Sequence, residues 1–259
     1  LSFSLFLEMN RFNSYIINLI LIVSIGLGLA GCTVTNAPMT STSPWMKVDL
    51  NTDANPLDIE FIDDKKGYLV GTDRLILETN DGGNTWEERN LDLPTEGNFR
   101  LISIDFLGDE GWIAGQPGLI LHTADGGMNW NRLELGNTLP GDPYLITTLS
   151  KDSAELATTS GAIYTTFDGG INWEAKVLDT SGSGGIRELR RKEDGGYISV
   201  SSLGNFFSVL NPDQQNWEPH QRASSKRVQS IGYQPNGSLW MLSRGAEIRL
   251  NKEGSEDIE

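Results

Sequence analysis

The sequence predicts an all-β fold, a β-propeller of four-stranded blades, and three observations carry that prediction. The stretch Gly71–Trp86, GTDRLILETNDGGNTW, returns as GQPGLILHTADGGMNW at Gly115–Trp130 and, shortened, as GAIYTTFDGGINW at Gly161–Trp173. The closing tryptophans Trp86, Trp130 and Trp173 stand 44 and 43 residues apart, Trp217 follows at a further 44, and Trp45 precedes by 41. Each period holds four short strand-like runs. A four-strand unit recurring every forty-odd residues is the signature of propeller blades.

The first full period justifies its strands in order. Leu57 to Phe61 (LDIEF) alternates apolar and polar side chains, the pattern of a half-buried strand. Gly67 to Gly71 (GYLVG) is a second short apolar run with a glycine at each end. Leu75 to Thr79 (LILET) is a third, and it runs into a D-G-G turn, as a hairpin arm does. Thr85 and Trp86 open the return strand, where an aromatic packs well. The second period repeats the set as LISIDF, GWIAG, LILHT and WNRLEL. Full periods run over 51–90, 91–134, 135–178 and 179–220, and a fifth begins near 221 with VQSIGY, SLWML and GAEIRL. Ahead of them Trp45–Leu50 (WMKVDL) aligns with the closing strands, so it is expected to complete the last blade of a ring. Either five blades close with Trp45–Leu50 supplying the missing strand, or the chain is part of a larger ring; because the final NKEGSEDIE falls inside a blade, the propeller of residues 45–259 is expected to be shortened at its C-terminus.

The turns share the pattern [ST]-x-D-x-G-x-[TN]-W, which resembles the Asp-box of propeller proteins. Asp81, Asp125 and Asp168 are suited to bond their own backbone two residues on, and the glycines tolerate positive φ. One aspartate in every good copy points to stiffened turns. A catalytic or metal site would be single and made of unlike residues, so neither role is assigned to them.

The chain has 259 residues, 29 of them glycine, as a turn-rich β protein needs. Its formal net charge of −15 argues against a nucleic-acid partner, because phosphate binding wants a basic face. Residues 1–31 read as a signal peptide. Tyr15 to Ala30 is a 16-residue apolar run, short for a span of about 20 residues and typical of a signal core. It ends in Leu29-Ala30-Gly31-Cys32, which looks like a bacterial lipobox. Cys32 is the only cysteine, so no internal disulfide forms, and an acyl anchor on Cys32 explains its place. A plain secretory signal is the alternative. Residues 32–44, rich in Thr, Ser, Asn and Pro, read as a flexible tether.

The lipobox, the WMKVDL strand and the D-G-G-x-x-W repeats together resemble the photosystem II stability/assembly factor family of cyanobacteria and chloroplasts. ISIDFLGDEGWIAGQPGLILHTADGG (102–127) and GGYISVSSLGNFF (195–207) carry the resemblance most strongly. It implies a seven-bladed lumenal propeller, lipid-anchored at the thylakoid membrane. It further implies a non-enzymatic role, binding the newly made D1 reaction-centre subunit and early photosystem II complexes, with no cofactor.

Arginines cluster on this acidic chain. Arg187, Arg190 and Arg191 lie in GIRELRRKEDGG, Lys226 and Arg227 in SSKRVQSIGY, and Arg100 in NFRLISIDF. Arg100 and Arg187 each stand 14 residues beyond a closing tryptophan, where the innermost strand of a blade begins. Guanidiniums converging there are suited to grip a carboxylate bidentately. The family carries an arginine-rich patch on one face, and the resemblance assigns that partner-binding role to Arg100, Arg187, Arg190, Arg191 and Arg227. The competing reading makes them solvated rim residues paired with Glu188, Glu193 and Asp194.

Catalytic signals are thin. His122 and His220 are the only histidines, and His122 is expected on a strand surface, where Glu78 and Thr165 stand in the neighbouring copies. No Cys/His cluster for zinc and no G-x-S-x-G elbow occur. An extracytoplasmic sialidase-like or glycan-binding propeller is the alternative function. Sialidase-like chemistry needs an arginine triad, a Tyr–Glu pair and an acid; arginines are present, but the sequence matches none of Tyr144, Tyr164, Tyr197 or Tyr233 with a glutamate.

Overall fold

A computed structural model describes residues 46–93, 97–135, 140–177, 185–221, 226–234 and 236–251. The signal segment, Cys32, the tether and Trp45 lie outside them. Within the unit Val48–Glu259, the described residues form nineteen strands and no helix. Blade 1 is β1 (Pro56–Phe61), β2 (Gly67–Gly71), β3 (Ile76–Thr79) and β4 (Glu87–Glu88). Blade 2 is β5 (Arg100–Leu107), β6 (Glu110–Gln116), β7 (Leu119–Thr123) and β8 (Asn131–Glu134). Blade 3 is β9 (Pro143–Ser150), β10 (Ser153–Thr158), β11 (Ile163–Thr166) and β12 (Glu174–Val177). Blade 4 is β13 (Ile186–Arg191), β14 (Tyr197–Ser201), β15 (Phe206–Leu210) and β16 (Glu218–Gln221). The fifth sheet holds β17 (Val228–Tyr233), β18 (Leu239–Ser243) and β19 (Glu247–Leu250). Each sheet is an antiparallel meander in sequence order.

The core sits between sheets. Tyr68, Val70 and Ile76 of blade 1 pack with Leu101, Ile104, Ile113 and Leu121 of blade 2. Trp112, Ala114 and Ile120 pack with Ile146, Ala154 and Leu156 of blade 3. Ala157, Ile163 and Val177 then meet Leu189, Tyr197 and Leu210. Ile198, Val200, Phe207 and Val209 meet Val228, Ile231, Leu239 and Met241. The second strand of each of blades 1 to 4 is therefore buried along its length, except for the half-buried Gln116 at the end of β6, which is why GYLVG and GWIAG read as continuous apolar runs.

The Asp-box turns repeat one hydrogen-bond pattern. Asp125 Oδ1 accepts from the Asn129 amide (2.9 Å) and Oδ2 from Asn129 Nδ2 (2.7 Å), while Thr123 Oγ1 accepts from the Gly127 amide (3.1 Å). Asp168 holds Asn172 at the same two distances, and Asp81 takes the amide and hydroxyl of Thr85 at 2.9 and 2.6 Å. Those donors hold the Asp125 carboxyl down to about 2 and lower Asp81 and Asp168 as well. The second glycine of the turn also has a tertiary task. A Cβ on Gly127 would lie 2.5 Å from the Tyr68 ring of the preceding blade, and one on Gly170 would lie 2.4 Å from Leu133 and 3.1 Å from Trp112. Tyr68 adds a hydrogen bond from its hydroxyl to the Gly126 carbonyl (2.9 Å), and Trp217 Nε1 donates to the Gly161 carbonyl (2.8 Å).

Three expectations are corrected. Met46–Leu50 carries no strand. Asp49 accepts from the Asn51 amide (3.1 Å), and Asn51 adopts φ 50°, a left-handed backbone that a strand does not hold. Leu50 packs instead against Leu69, Leu75 and Leu77 on the outer flank of blade 1. The return strand of that blade shrinks to Glu87–Glu88, both exposed, because its charged side chains bury nothing. His122 is no surface residue. It is buried, stacked on Trp112 at 4.1 Å, with Nε2 2.6 Å from Glu110 Oε1.

Gly127→Ala is expected to cost roughly 2–4 kcal/mol, from left-handed backbone plus collision with Tyr68. At Gly83 the nearest side-chain atom to a Cβ is 3.5 Å away, so Gly83→Ala should cost only the backbone part, about 1–2 kcal/mol. Urea midpoints of the two variants check the difference. The Asp125 carboxyl titrates lower in the folded chain than in the unfolded one. Its stabilising contribution is complete above about pH 4 and is lost as pH falls toward 2. Asp125→Asn should therefore flatten the acid limb of stability across that window.

Candidate partner-binding face

The first strands of blades 1 to 4 line one cavity of about 850 Å³. Consecutive residues of these strands reach it, 102–105 on β5, 144–147 on β9 and 187–191 on β13, so the cavity runs along the strands' edges as well as one face. β1 contributes Leu57, Asp58 and Glu60, and β5 contributes Arg100, Ser103 and Asp105. β9 contributes Tyr144 and Ile146, and β13 contributes Arg187, Glu188, Arg190 and Arg191. Four of the five arginines singled out in the sequence thus reach one cavity. Arg227 is exposed just ahead of β17 and is not part of this lining.

The four differ in how they are held. Arg100 is exposed at the start of β5, paired in register with Gln116, and among the described residues its guanidinium makes no hydrogen bond or ion pair. Arg187 is exposed but anchored. Nε and Nη2 donate to the Ser202 carbonyl (3.3 and 2.9 Å), and Nη1 donates to Gln229 Oε1 of the next sheet (3.2 Å). Tyr144 donates its hydroxyl to the Arg187 carbonyl (3.3 Å). Arg190 bonds Glu188 Oε1 (2.6 Å) and lies over the Trp240 ring at 5.4 Å. Arg191 is the most committed. Its Nε donates to Glu155 Oε2 (2.8 Å), a carboxylate that also takes Lys176 Nζ (3.1 Å) and the Tyr197 hydroxyl (3.1 Å). Of the sequence-level acid partners, Glu188 does pair with Arg190, whereas Asp194 pairs with Lys192.

The opposite wall is acidic. Asp58 Oδ2 accepts from the Ile104 amide (2.9 Å), and Asp105 Oδ2 accepts from the Thr148 amide in the next blade, whose hydroxyl donates to the Asp105 main-chain carbonyl (3.0 Å). Burial raises the Asp105 carboxyl despite those donors. Burial, then Asp105 and Asp58, raises Glu60. The cavity therefore runs from a carboxylate wall on blades 1 and 2 to a guanidinium wall on blade 4, with Arg100 at the edge.

Tyr197 and Glu155 form the Tyr–Glu pair that the sequence left unmatched. Both are buried between blades 3 and 4, at 1% and 4% exposure, and Arg191 and Lys176 neutralise the carboxylate. That arrangement closes the pair to a sugar and makes it a staple between blades. Sequence reasoning also missed Glu110, His122 and Asp152, which the fold brings together at the junction of blades 2 and 3. They are separated by 12 and 30 residues, so no short motif announces them.

Comparison with known proteins gives one family. The family model described as photosynthesis system II assembly factor YCF48 matches residues 37–259. The photosystem II assembly lipoprotein Ycf48 of Prochlorococcus marinus strain NATL2A is 73% identical over 251 residues, 97% of this chain and 74% of that protein. Its counterpart in Parasynechococcus marenigrum strain WH8102 is 60% identical over 95% of this chain and 73% of its own length. Among solved structures, YCF48 bound to D1 peptide superposes with TM-score 0.80 at 44% identity, covering 85% of this chain and 70% of that one. YCF48 from Cyanidioschyzon merolae gives 0.79 at 37% identity, covering 84% and 75%. A GH74 enzyme of Niastella koreensis matches at 12% identity and TM-score 0.54, a likeness of fold alone. With its blades, its turns and these relatives in agreement, this chain belongs to the YCF48 family of photosystem II assembly factors.

Proposed function

We propose that the chain is a non-enzymatic assembly factor for photosystem II that holds the D1 reaction-centre subunit and early assembly complexes on its arginine-bearing face. The observation that carries this reading is the convergence of Arg100, Arg187, Arg190 and Arg191 on one cavity of a chain whose formal net charge is −15. The relatives' shared name and the related structure with a D1 peptide support it. Arg100 and Arg187 do the capture. Both guanidiniums are exposed at the cavity edge and meet a carboxylate without first breaking a buried ion pair. Arg190 and Arg191 shape the wall, and Arg227 extends the positive rim beyond the cavity. Cys32 carries the acyl anchor, residues 32–44 tether the propeller to it, and the protein works at the lumenal side of the thylakoid membrane. Anchoring confines the binding face near an unassembled membrane subunit and raises its effective concentration there.

The double variant Arg100→Ala/Arg187→Ala should bind a D1 peptide about 10–100-fold more weakly, with a smaller salt dependence. Unchanged affinity and salt slope, measured by titration calorimetry at two ionic strengths, would refute the arginine reading. Arg191→Ala should instead lower stability by about 1.5–3 kcal/mol, because a buried carboxylate loses a charged donor. Cys32→Ser should shift the protein from the membrane to the soluble fraction, and continued membrane attachment would count against the acyl anchor.

A further inference from the structure

Glu110, His122 and Asp152 meet where blade 2 abuts blade 3. One ligating atom of each lies within 4.8 Å of the other two. Glu110 opens β6, and β7 brings His122 back beside it through the Trp112–His122 register pair. Asp152 comes from the turn between β9 and β10, where it takes φ 56°. Glu110 Oε1 also accepts the Asp152 amide (3.0 Å), so the carboxylate already spans the two blades. The Trp112 ring, stacked on His122 at 4.1 Å, fixes the imidazole.

The charges at this junction do not cancel as they do elsewhere. In blade 1 the positions of Glu110 and His122 are held by Lys66 and Glu78, and Glu78 is paired with Lys66 (3.8 Å) and Arg89 (3.3 Å). In blade 3 the same positions are the neutral Ser153 and Thr165. At the blade 2–3 junction two carboxylates face one histidine. Among the described residues, no lysine or arginine forms an ion pair with either acid. Glu110 and His122 are buried, whereas Asp152 is half-exposed and leaves a way in from solvent.

From this donor set we propose that Glu110, His122 and Asp152 form a divalent metal site of the zinc class that clasps blade 2 to blade 3. One imidazole and two carboxylates are ordinary ligands for such an ion, at about 2.0–2.2 Å, and three protein ligands leave a fourth position for water. Binding needs only small shifts. The Glu110–His122 hydrogen bond gives way to two metal bonds, and the carboxylate of Asp152 swings in from its turn. The ion then supplies the positive charge that Lys66 and Arg89 supply in blade 1.

The test uses the full chain, treated with chelator, dialysed and titrated with zinc chloride by calorimetry, with thermal unfolding as a second readout. Saturable binding of one ion and a rise in Tm are expected, because an ion that binds only the folded chain stabilises it by mass action. His122→Gln and Asp152→Asn should each weaken binding by at least about 10-fold and shrink the Tm rise. Asp152→Asn is half-exposed and keeps its backbone bond to Glu110, so its circular dichroism should match the parent and separate lost ligation from lost fold. No saturable zinc binding would overturn the proposal. So would zinc binding of unchanged affinity in both variants, because the ion would then sit elsewhere, Cys32 included.

Discussion

The structure depends on one constraint: no four-stranded blade buries both of its faces alone. The contact that answers it is an aromatic ring on the second strand of one blade seated against the glycine turn of the next. Tyr68 against Gly127 and Trp112 against Gly170 are two instances; the first leaves no room for a Cβ, and at Gly170 Trp112 and Leu133 together leave none. The hydrophobic clusters follow the same division, since each of the four between-sheet cores draws on two neighbouring blades. Stability in such an array is a sum over junctions, so a change at one junction is felt by two blades and little beyond.

Polar groups reinforce the junctions. Carboxylates on the first strands reach across to backbone or hydroxyl donors one blade on: Asp58 to Ile104, Asp105 to Thr148, and Glu188 to Ser230. Buried amides on a sheet's inner edge lack a ladder partner, and a carboxylate from the neighbour satisfies them. This use of acids has a consequence for the cavity. It places negative charge on blades 1 and 2, so the arginines of blade 4 stand across from carboxylates already engaged with backbone. On the proposed reading, a partner carboxylate would be drawn to the arginine side and repelled from the other, which would orient it on the face.

The arginines show how one residue type divides between scaffold and surface within a single strand. Arg191 closes a buried knot with Glu155, Tyr197 and Lys176, whereas Arg187, four residues earlier, bonds only a carbonyl and an amide side chain and keeps its exposure. Burial in that knot raises the Tyr197 hydroxyl well above its ordinary range, with the Glu155 charge adding to it.

The sequence by itself determined the blade. The recurring tryptophans, the D-G-G turns and the short apolar runs are local features. Their period places strands within a residue or two of where they lie, as LISIDF in β5 and LILHT in β7 illustrate. It also placed Arg100 and Arg187 at the starts of first strands, because equivalent positions in a repeat occupy equivalent places in a fold. Only the tertiary structure decided what happens between repeats. Periodicity averages over copies and says nothing of the one position where a copy differs. Hence His122, read as a surface residue by analogy with Glu78 and Thr165, is buried against Trp112 and Glu110. Arg191 looks like its neighbours in the chain and yet is drawn into blade 3. Leu50 fills a flank of blade 1 instead of continuing a strand. Each outcome depends on which side chain a different blade presents across the junction, and that pairing is set by packing over 30 or 40 residues of chain.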